Sequence, residues 1–288
     1  MESGTVSANG LEFAFFEAGS GPLALCLHGF PDTAWTFRHL LPRLAEAGFR
    51  AVAPYTRGYA PTQVPPDGAF QIGALASDAN ALHEALGGDG DAVIIGHDWG
   101  AITTYGAAAV APDRWRRAVT LAVPPMPVAA ASFFDYGQLK RSFYVFLFQT
   151  ALAEGVVAMN DLDFIARLWA DWSPGYDGAE DIARVKDALR APDNLASAIG
   201  YYRAMLTNTN HLEKYSAEQA ASSSIPSQPT LYLHGSTDGA LGHDVVQTAG
   251  DLLTGDSRFV LVEGAGHFLH LEKPDEVNAL ILDWVTTP

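Results

Sequence analysis

Ala92-Val-Ile-Ile-Gly-His-Asp-Trp-Gly-Ala101 is the stretch on which the fold turns. Ala92 to Ile95 is a short apolar run, which suits a parallel strand buried on both faces. Gly96 and Gly100 flank one polar side chain, Asp98, and the small residues from Ala101 to Ala109 predict a helix packed closely on a sheet. Strand, tight turn and helix are the setting of a nucleophile elbow, G-x-S-x-G, here with aspartate at the serine position. Such a turn pushes its central side chain out at the carboxyl end of the sheet. The competing reading makes Asp98 an ordinary cap of the following helix.

Outward from this stretch, the pattern of strand and helix repeats. On the N-terminal side, Thr5 to Leu11 reads as a hairpin turning at Asn9-Gly10, with a second strand to Glu17. Leu23–Leu27 and Arg50–Pro54 read as buried strands. Helices are expected from about Thr33 to Glu46 and from Gln71 to Leu86, the latter with Ile72, Leu75, Leu82 and Leu86 at helical spacing. On the C-terminal side, Ala118–Val123, Thr230–Leu233 and Phe259–Val262 read as strands, with helices near Asp244–Leu253 and Pro274–Val285. Strands separated by helices predict an α/β fold with a mostly parallel sheet and right-handed crossovers.

Between Pro124 and Gln228 no buried strand is legible. Helical stretches are expected at Ser132–Thr150, Asp161–Trp172, Ala179–Leu189 and Ala191–Leu206, rich in Phe, Tyr and Trp. The expected organisation is an α/β core, residues 1–124 and 229–288, carrying an all-helical cap inserted at 125–228.

The chain has 288 residues, 48% hydrophobic and 17% charged, enough for a sizeable core and against disorder. Its 17 Lys and Arg against 33 Asp and Glu leave a net charge of −16, which disfavours nucleic acid and anionic membrane as partners. The one cysteine, Cys26, excludes an intramolecular disulfide and fits a reduced, cytoplasmic setting. Met1-Glu2-Ser3-Gly4 has no basic or apolar signal character, and no run of 18 apolar residues predicts a transmembrane helix. No H-E-x-x-H and no cysteine cluster supports a metal, and no cofactor is expected.

Two further positions join Asp98. Asp238 lies five residues past the strand ending at Leu233, and His267 lies in the Gly-rich loop Gly264-Ala-Gly-His267. The chain order Asp98, Asp238, His267 is nucleophile, acid, base. A histidine titrates near neutrality and can activate water, and a carboxylate can hold its other nitrogen. Asp238 could instead be a turn residue, and His267 a loop histidine. His28, His97 and His234 read as structural, and His270 as less useful to chemistry.

On these residues the chain resembles an α/β-hydrolase of the epoxide hydrolase group, over nearly its whole length. The resemblance is carried by His28-Gly-Phe-Pro-Asp32 with Trp35, Arg57-Gly58-Tyr59, Gly96-His-Asp-Trp-Gly-Ala101, Asp238, and Gly266-His267-Phe268. It implies a cis proline peptide in H-G-x-P and an oxyanion hole from the backbone N–H groups of Phe30 and Trp99. It also implies two cap tyrosines as proton donors: Tyr144, five residues before Gln149, and Tyr202 in the Tyr202-Arg203 step. Tyr201 is the neighbour most easily confused with Tyr202. Two departures are visible: Tyr55-Thr56 stands where family members often carry an acid, and the residues after Asp238 match loosely.

The function implied is hydrolysis of a small apolar epoxide to a vicinal diol through an ester on Asp98, with a homodimer compatible. The nearest rival is a haloalkane dehalogenase (or a haloacid enzyme), which shares the Asp nucleophile, His and acid. Trp99 could serve a departing halide, but the position after H-G is Phe30, which has no side-chain donor. A serine esterase lacks its serine at the elbow, and a non-catalytic hydrolase-fold binder would not need candidates for every chemical role.

Overall fold

The computed structural model describes residues 1–253 and 255–287. Eight strands, β1 (Glu2–Ala8), β2 (Leu11–Ala18), β3 (Leu23–Leu27), β4 (Arg50–Pro54), β5 (Val93–His97), β6 (Arg117–Leu121), β7 (Thr230–Gly235) and β8 (Arg258–Val262), form one sheet. Their spatial order is β1-β2-β4-β3-β5-β6-β7-β8. β1 and β2 are antiparallel, joined through Asn9 and Gly10, both at positive φ as a tight hairpin turn requires. β2 runs antiparallel to β4, and every later pair is parallel. The strand order reverses between β3 and β5, and in open α/β sheets ligands bind at the carboxyl ends beside such a point.

Helices α1 (Leu41–Glu46), α2 (Ile72–Ala85) and α3 (Trp99–Val110) lie among the first strands. Between β6 and β7 come only helices: α4 (Met126–Ser132), α5 (Tyr136–Arg141), α6 (Phe143–Leu147), α7 (Ala153–Trp172), α8 (Ala179–Leu189), α9 (Pro192–Leu206) and α10 (Ser216–Ala221), with one 3₁₀ turn. The chain closes with α11 (His243–Val246), α12 (Ala249–Leu252), α13 (Leu269–Glu272) and α14 (Pro274–Thr286). Among the described residues, no helix is long and apolar enough to cross a membrane.

The strand runs are apolar throughout because both faces of the sheet are covered. On β5, Val93 and Ile95 join Cys26, Phe37, Leu41, Val277, Ile281 and Val285 on one face. Ile94 joins Leu25, Leu27, Leu82, Ala107 and Trp115 on the other. Successive strand residues point to opposite faces, so one five-residue strand feeds two cores. A third core lies over the carboxyl ends of the strands, where Phe30, Trp99 and Phe268 meet Tyr144, Phe148, Trp172 and Tyr202 from the helical segment. α10 instead packs on α2 and α3.

Several expected helices are broken. Thr33–Glu46 is a 3₁₀ stretch, Ala34–His39, followed by α1, because Pro42 near the start of α1 has no N–H for a continuous ladder. Ser132–Thr150 is α5 and α6 preceded by α4, separated where Asp135 is extended and Ser142 leaves helical geometry. The stretch read as starting at Asp161 is the second half of α7, which is interrupted at Met159–Leu162. There Asn160, Asp161 and Leu162 are left-handed, a conformation Asn and Asp tolerate best. Asp244–Leu253 resolves into the single turns α11 and α12.

Candidate active site

The site is assembled from the loops after β3, β5, β7 and β8, closed from above by α5, α6, α7 and α9. Asp98 stands between β5 and α3 at φ 54, ψ −116, a region that costs a non-glycine residue on the order of 1–3 kcal/mol. It makes no side-chain cap to α3, which disposes of the capping alternative. The elbow needs its glycines: a Cβ on Gly96 would collide with the Gly100 carbonyl, and one on Gly100 with the Leu27 carbonyl. The turn thus lies flat against β3 and its side chain is thrust upward.

Phe30 N–H donates to Asp98 Oδ1 at 2.7 Å. The Phe30-Pro31 peptide is cis, as the resemblance implies. Trp99 opens α3, so its N–H has no partner within the helix. A Cβ on Gly29 would sit against Asp98 Oδ1 and 2.5 Å from Trp99 N, so both groups crowd one small space. The Phe30 N–H bonded to the carboxylate, with the Trp99 N–H beside the same space, can stabilise negative charge developing there.

His267 Nδ1 donates to Asp238 Oδ2 at 2.9 Å, and its Nε2 points toward Asp98 Oδ2 at 3.6 Å. Asp238 Oδ1 accepts from Ala240 N at 2.7 Å and Leu241 N at 3.0 Å. Asp238 and His267 are both buried. Burial alone would raise the Asp238 carboxyl, but the His267 charge and hydrogen bonds hold it below its ordinary value. Burial would likewise depress His267, yet Asp238 and then Asp98 outweigh it, and its pKa is pushed up to about 10.

Tyr144 on α6 and Tyr202 on α9 are buried over Asp98, their rings edge-on at 5.4 Å. Among the described residues the Tyr202 hydroxyl makes no well-formed hydrogen bond, and Tyr144 and the Trp99 indole are the polar groups beside it. Burial, and next the neighbouring tyrosine and Asp98, pushes Tyr202 well above its ordinary value. Burial and then Asp98 do the same to Tyr144, so both phenols stay protonated at neutral pH. Tyr201, one helical position away and about 100° around the axis, turns to the core and donates to the Arg57 carbonyl at 2.7 Å. Asp98, Trp99, Tyr144 and Tyr202 line one cavity of about 240 Å³, otherwise walled mainly by apolar side chains.

A sequence model described as the alpha/beta hydrolase fold matches residues 22–274. Epoxide hydrolase 1 of Siraitia grosvenorii is 30% identical, over 99% of this chain and 98% of its own length. Epoxide hydrolase A of Mycobacterium tuberculosis is 28% identical, over 98% and 96%. The chain belongs to the epoxide hydrolase family of α/β-hydrolases. The crystal structure of Epoxide Hydrolase A from Mycobacterium thermoresistibile superposes with a TM-score of 0.80 at 27% identity, covering 98% of this chain and 97% of that one.

Beyond the family's motifs, this member carries supports that the sequence reading missed. The Trp172 carbonyl, at the end of α7, accepts from both Gly239 N at 3.1 Å and His267 N at 3.0 Å. A helix-end carbonyl with no partner in its own helix thereby holds the Asp238 loop and the His267 loop together. The next residue, Ser173, accepts from Phe268 N at 3.0 Å and donates to Glu272. Gln138 on α5, 1% exposed, donates to the Ala240 carbonyl at 2.8 Å and accepts from Gly242 N at 3.2 Å, so α5 is bolted to the loop following Asp238. Nothing in a lone polar residue of a short helix signals this.

His28, His97 and His234 are held structurally. His28 accepts from Thr56 N at 3.0 Å, His234 donates to the Leu241 carbonyl at 3.1 Å, and His97 donates from Nε2 to the His267 carbonyl at 3.0 Å. Asp32, His97 and His270 bring ligand-type atoms within 4.8 Å of one another, all buried. His97 Nδ1 and Asp32 Oδ2 are 3.9 Å apart, wider than the roughly 3.4 Å between two ligands of a tetrahedral zinc ion. Burial raises Asp32 and lowers both imidazoles, His270 to about 3, so burial disfavours charge on each of the three.

Proposed function

We propose that this protein hydrolyses epoxides to vicinal diols through a covalent ester on Asp98. Relatives named epoxide hydrolase that match nearly the full chain support the activity. The observation that carries the mechanism is the pair Tyr144 and Tyr202, which share one cavity wall with Asp98, the buried Tyr202 hydroxyl making no well-formed hydrogen bond among the described residues.

In the first half-reaction a carboxylate oxygen of Asp98 attacks a ring carbon, and that C–O bond breaks toward the tyrosines. The oxygen becomes an alkoxide, and a phenol that is still protonated at neutral pH supplies its proton. The product is a hydroxyalkyl ester of Asp98. Esterification removes the Asp98 charge, one of the two carboxylates that raise His267, so the imidazole is released toward its neutral form when a base is needed. In the second half-reaction His267, oriented by Asp238, takes a proton from water, and the water oxygen attacks the ester carbonyl. Phe30 N–H and Trp99 N–H carry the oxyanion; as it collapses, the proton held by His267 passes to the leaving diol oxygen, and the proton left on the Asp98 carboxyl restores the phenol. On this reading residues 125–228 act as the cap that supplies the acids, and residues 1–124 with 229–288 as the core that supplies nucleophile, acid and base. No step calls for a cofactor or metal.

The test is a panel of aryl, alkyl and terpenoid epoxides beside haloalkanes, reading diol and halide. Diol from epoxides, with haloalkanes slow, is expected. Halide release without diol would transfer the site to dehalogenation.

A further inference from the structure

The cavity above Asp98 is lopsided. On one side Tyr144 and Tyr202 of the wall are backed by Phe30, Phe148 and Trp172, which are 0%, 0% and 1% exposed and interlock, with Phe30–Phe148 ring centroids at 5.5 Å and Phe30–Trp172 at 6.4 Å. None of the three lines the cavity. The open flank is bounded by Ile102, Val123, Met126, Met205 and Leu241, and it reaches the surface at Phe134, which is 71% exposed. Asp98 is the one charged residue on the cavity wall among the described residues. Ser142, the polar side chain there besides the tyrosines and Trp99, has its oxygen engaged by Gln138 at 2.8 Å. A polar or charged substituent entering this flank would shed water with nothing to replace it, whereas hydrocarbon is accommodated along its length.

We infer that the site takes uncharged epoxides with a single apolar arm, that is, terminal 1,2-epoxides. Their unsubstituted ring carbon faces the closed aromatic flank, and their alkyl or aryl arm runs along the open flank toward Phe134. This inference rests on the epoxide reading above. It adds that a substituent on each ring carbon, in trans, would drive one arm into the interlocked Phe30, Phe148 and Trp172, which are packed to the density of a core and cannot yield cheaply. Each further methylene covered by the open flank should raise kcat/KM up to about fourfold, the equivalent of burying one CH₂ group.

Initial rates with 1,2-epoxyhexane and trans-2,3-epoxyhexane test the placement. The terminal isomer is expected to have at least a tenfold higher kcat/KM; equal or faster turnover of the trans isomer overturns the inference while leaving the epoxide reading intact. Ala129 lies on the cavity wall. Ala129→Trp should lower kcat/KM for 1,2-epoxyoctane at least tenfold more than for epoxypropane, since filling the open flank costs the longer arm more. An equal loss on both substrates overturns the arm's placement. Absence of diol from every epoxide, with halide released from haloalkanes, overturns the epoxide reading and this inference with it.

Discussion

His267 Nε2 faces Asp98 Oδ2 at 3.6 Å, buried and without a hydrogen-bond partner among the described residues. The separation is too long for a shared proton and short enough for a water positioned by the imidazole to reach the carboxyl carbon. Such a relationship has little use if Asp98 is a helix cap and a clear one if Asp98 is esterified and must be cleaved.

Asp98 should therefore become labelled. In a single turnover in heavy-oxygen water with enzyme in excess, the water oxygen is expected in the Asp98 carboxylate, while the diol keeps the epoxide oxygen and one from the aspartate. Mass analysis of the peptide containing Asp98 checks this. Label appearing directly in the diol would mean that water attacks the ring without a covalent step.

Replacing the base should separate the two half-reactions. His267→Gln is expected to form the ester and fail to cleave it, so intact-mass measurement should find protein plus one substrate. Ester hydrolysis should slow by about 10²–10⁴-fold, the usual worth of a positioned general base. An unmodified variant, slow in both steps, would contradict the assignment.

The same pair makes stability depend on pH. His267 is raised from 6.5 to about 10 in the folded protein. Its stabilising contribution is fully present below about pH 6.5, the value for an unfolded chain. It is lost as pH rises through about 10. Melting temperatures measured between pH 6 and 10.5 should fall across that window, and the fall should be shallower in Asp238→Asn, which removes the stronger of the two carboxylates. Identical slopes would show that the pair does not govern alkaline stability.

The elbow could be read from the sequence because glycine at 96 and 100 reports a backbone contact, and the apolar run of β5 reports burial on both faces; both signals are local. Phe30 as an amide donor and Tyr202 as distinct from Tyr201 came only from the family resemblance. Which of two adjacent tyrosines turns inward depends on the rotation of α9, and that rotation is set by contacts such as Tyr201 to the Arg57 carbonyl. The breaks at Asp135 and Ser142 were illegible for a related reason. Their sequence tolerates a helix, and the structure around them is tied down by Gln138 reaching the loop after Asp238.

Gln138→Leu should expose that tie. It strands the Ala240 carbonyl and the Gly242 N–H, and an unpaired buried group costs about 1–3 kcal/mol. The melting temperature is expected to drop. Ester hydrolysis, which uses Asp238 and His267, should slow more than formation of the ester, and rapid-quench measurement of both steps checks it. Equal slowing of the two would reduce Gln138 to general packing.

The tyrosines decide which leaving group the site serves. Ring opening puts charge on oxygen and needs an O–H donor on the side away from the attacking carboxylate, whereas a departing halide needs no proton. Tyr144→Phe or Tyr202→Phe should slow ester formation by about 10²–10⁴-fold, the range for a lost general acid, and leave cleavage of a preformed ester little changed. The double variant should nearly abolish epoxide opening. Tyr201→Phe offers a control on the same helix: it removes a buried hydrogen bond to the Arg57 carbonyl, worth about 1 kcal/mol, so it should lower the melting temperature and spare ester formation. Pre-steady-state rates for the four variants separate these outcomes. A double Phe variant that still opened epoxides at the native rate would remove the tyrosines from the chemistry, and Asp98 would then need another acid within the cavity, where among the described residues the remaining polar side chains are Ser142 and the Trp99 indole.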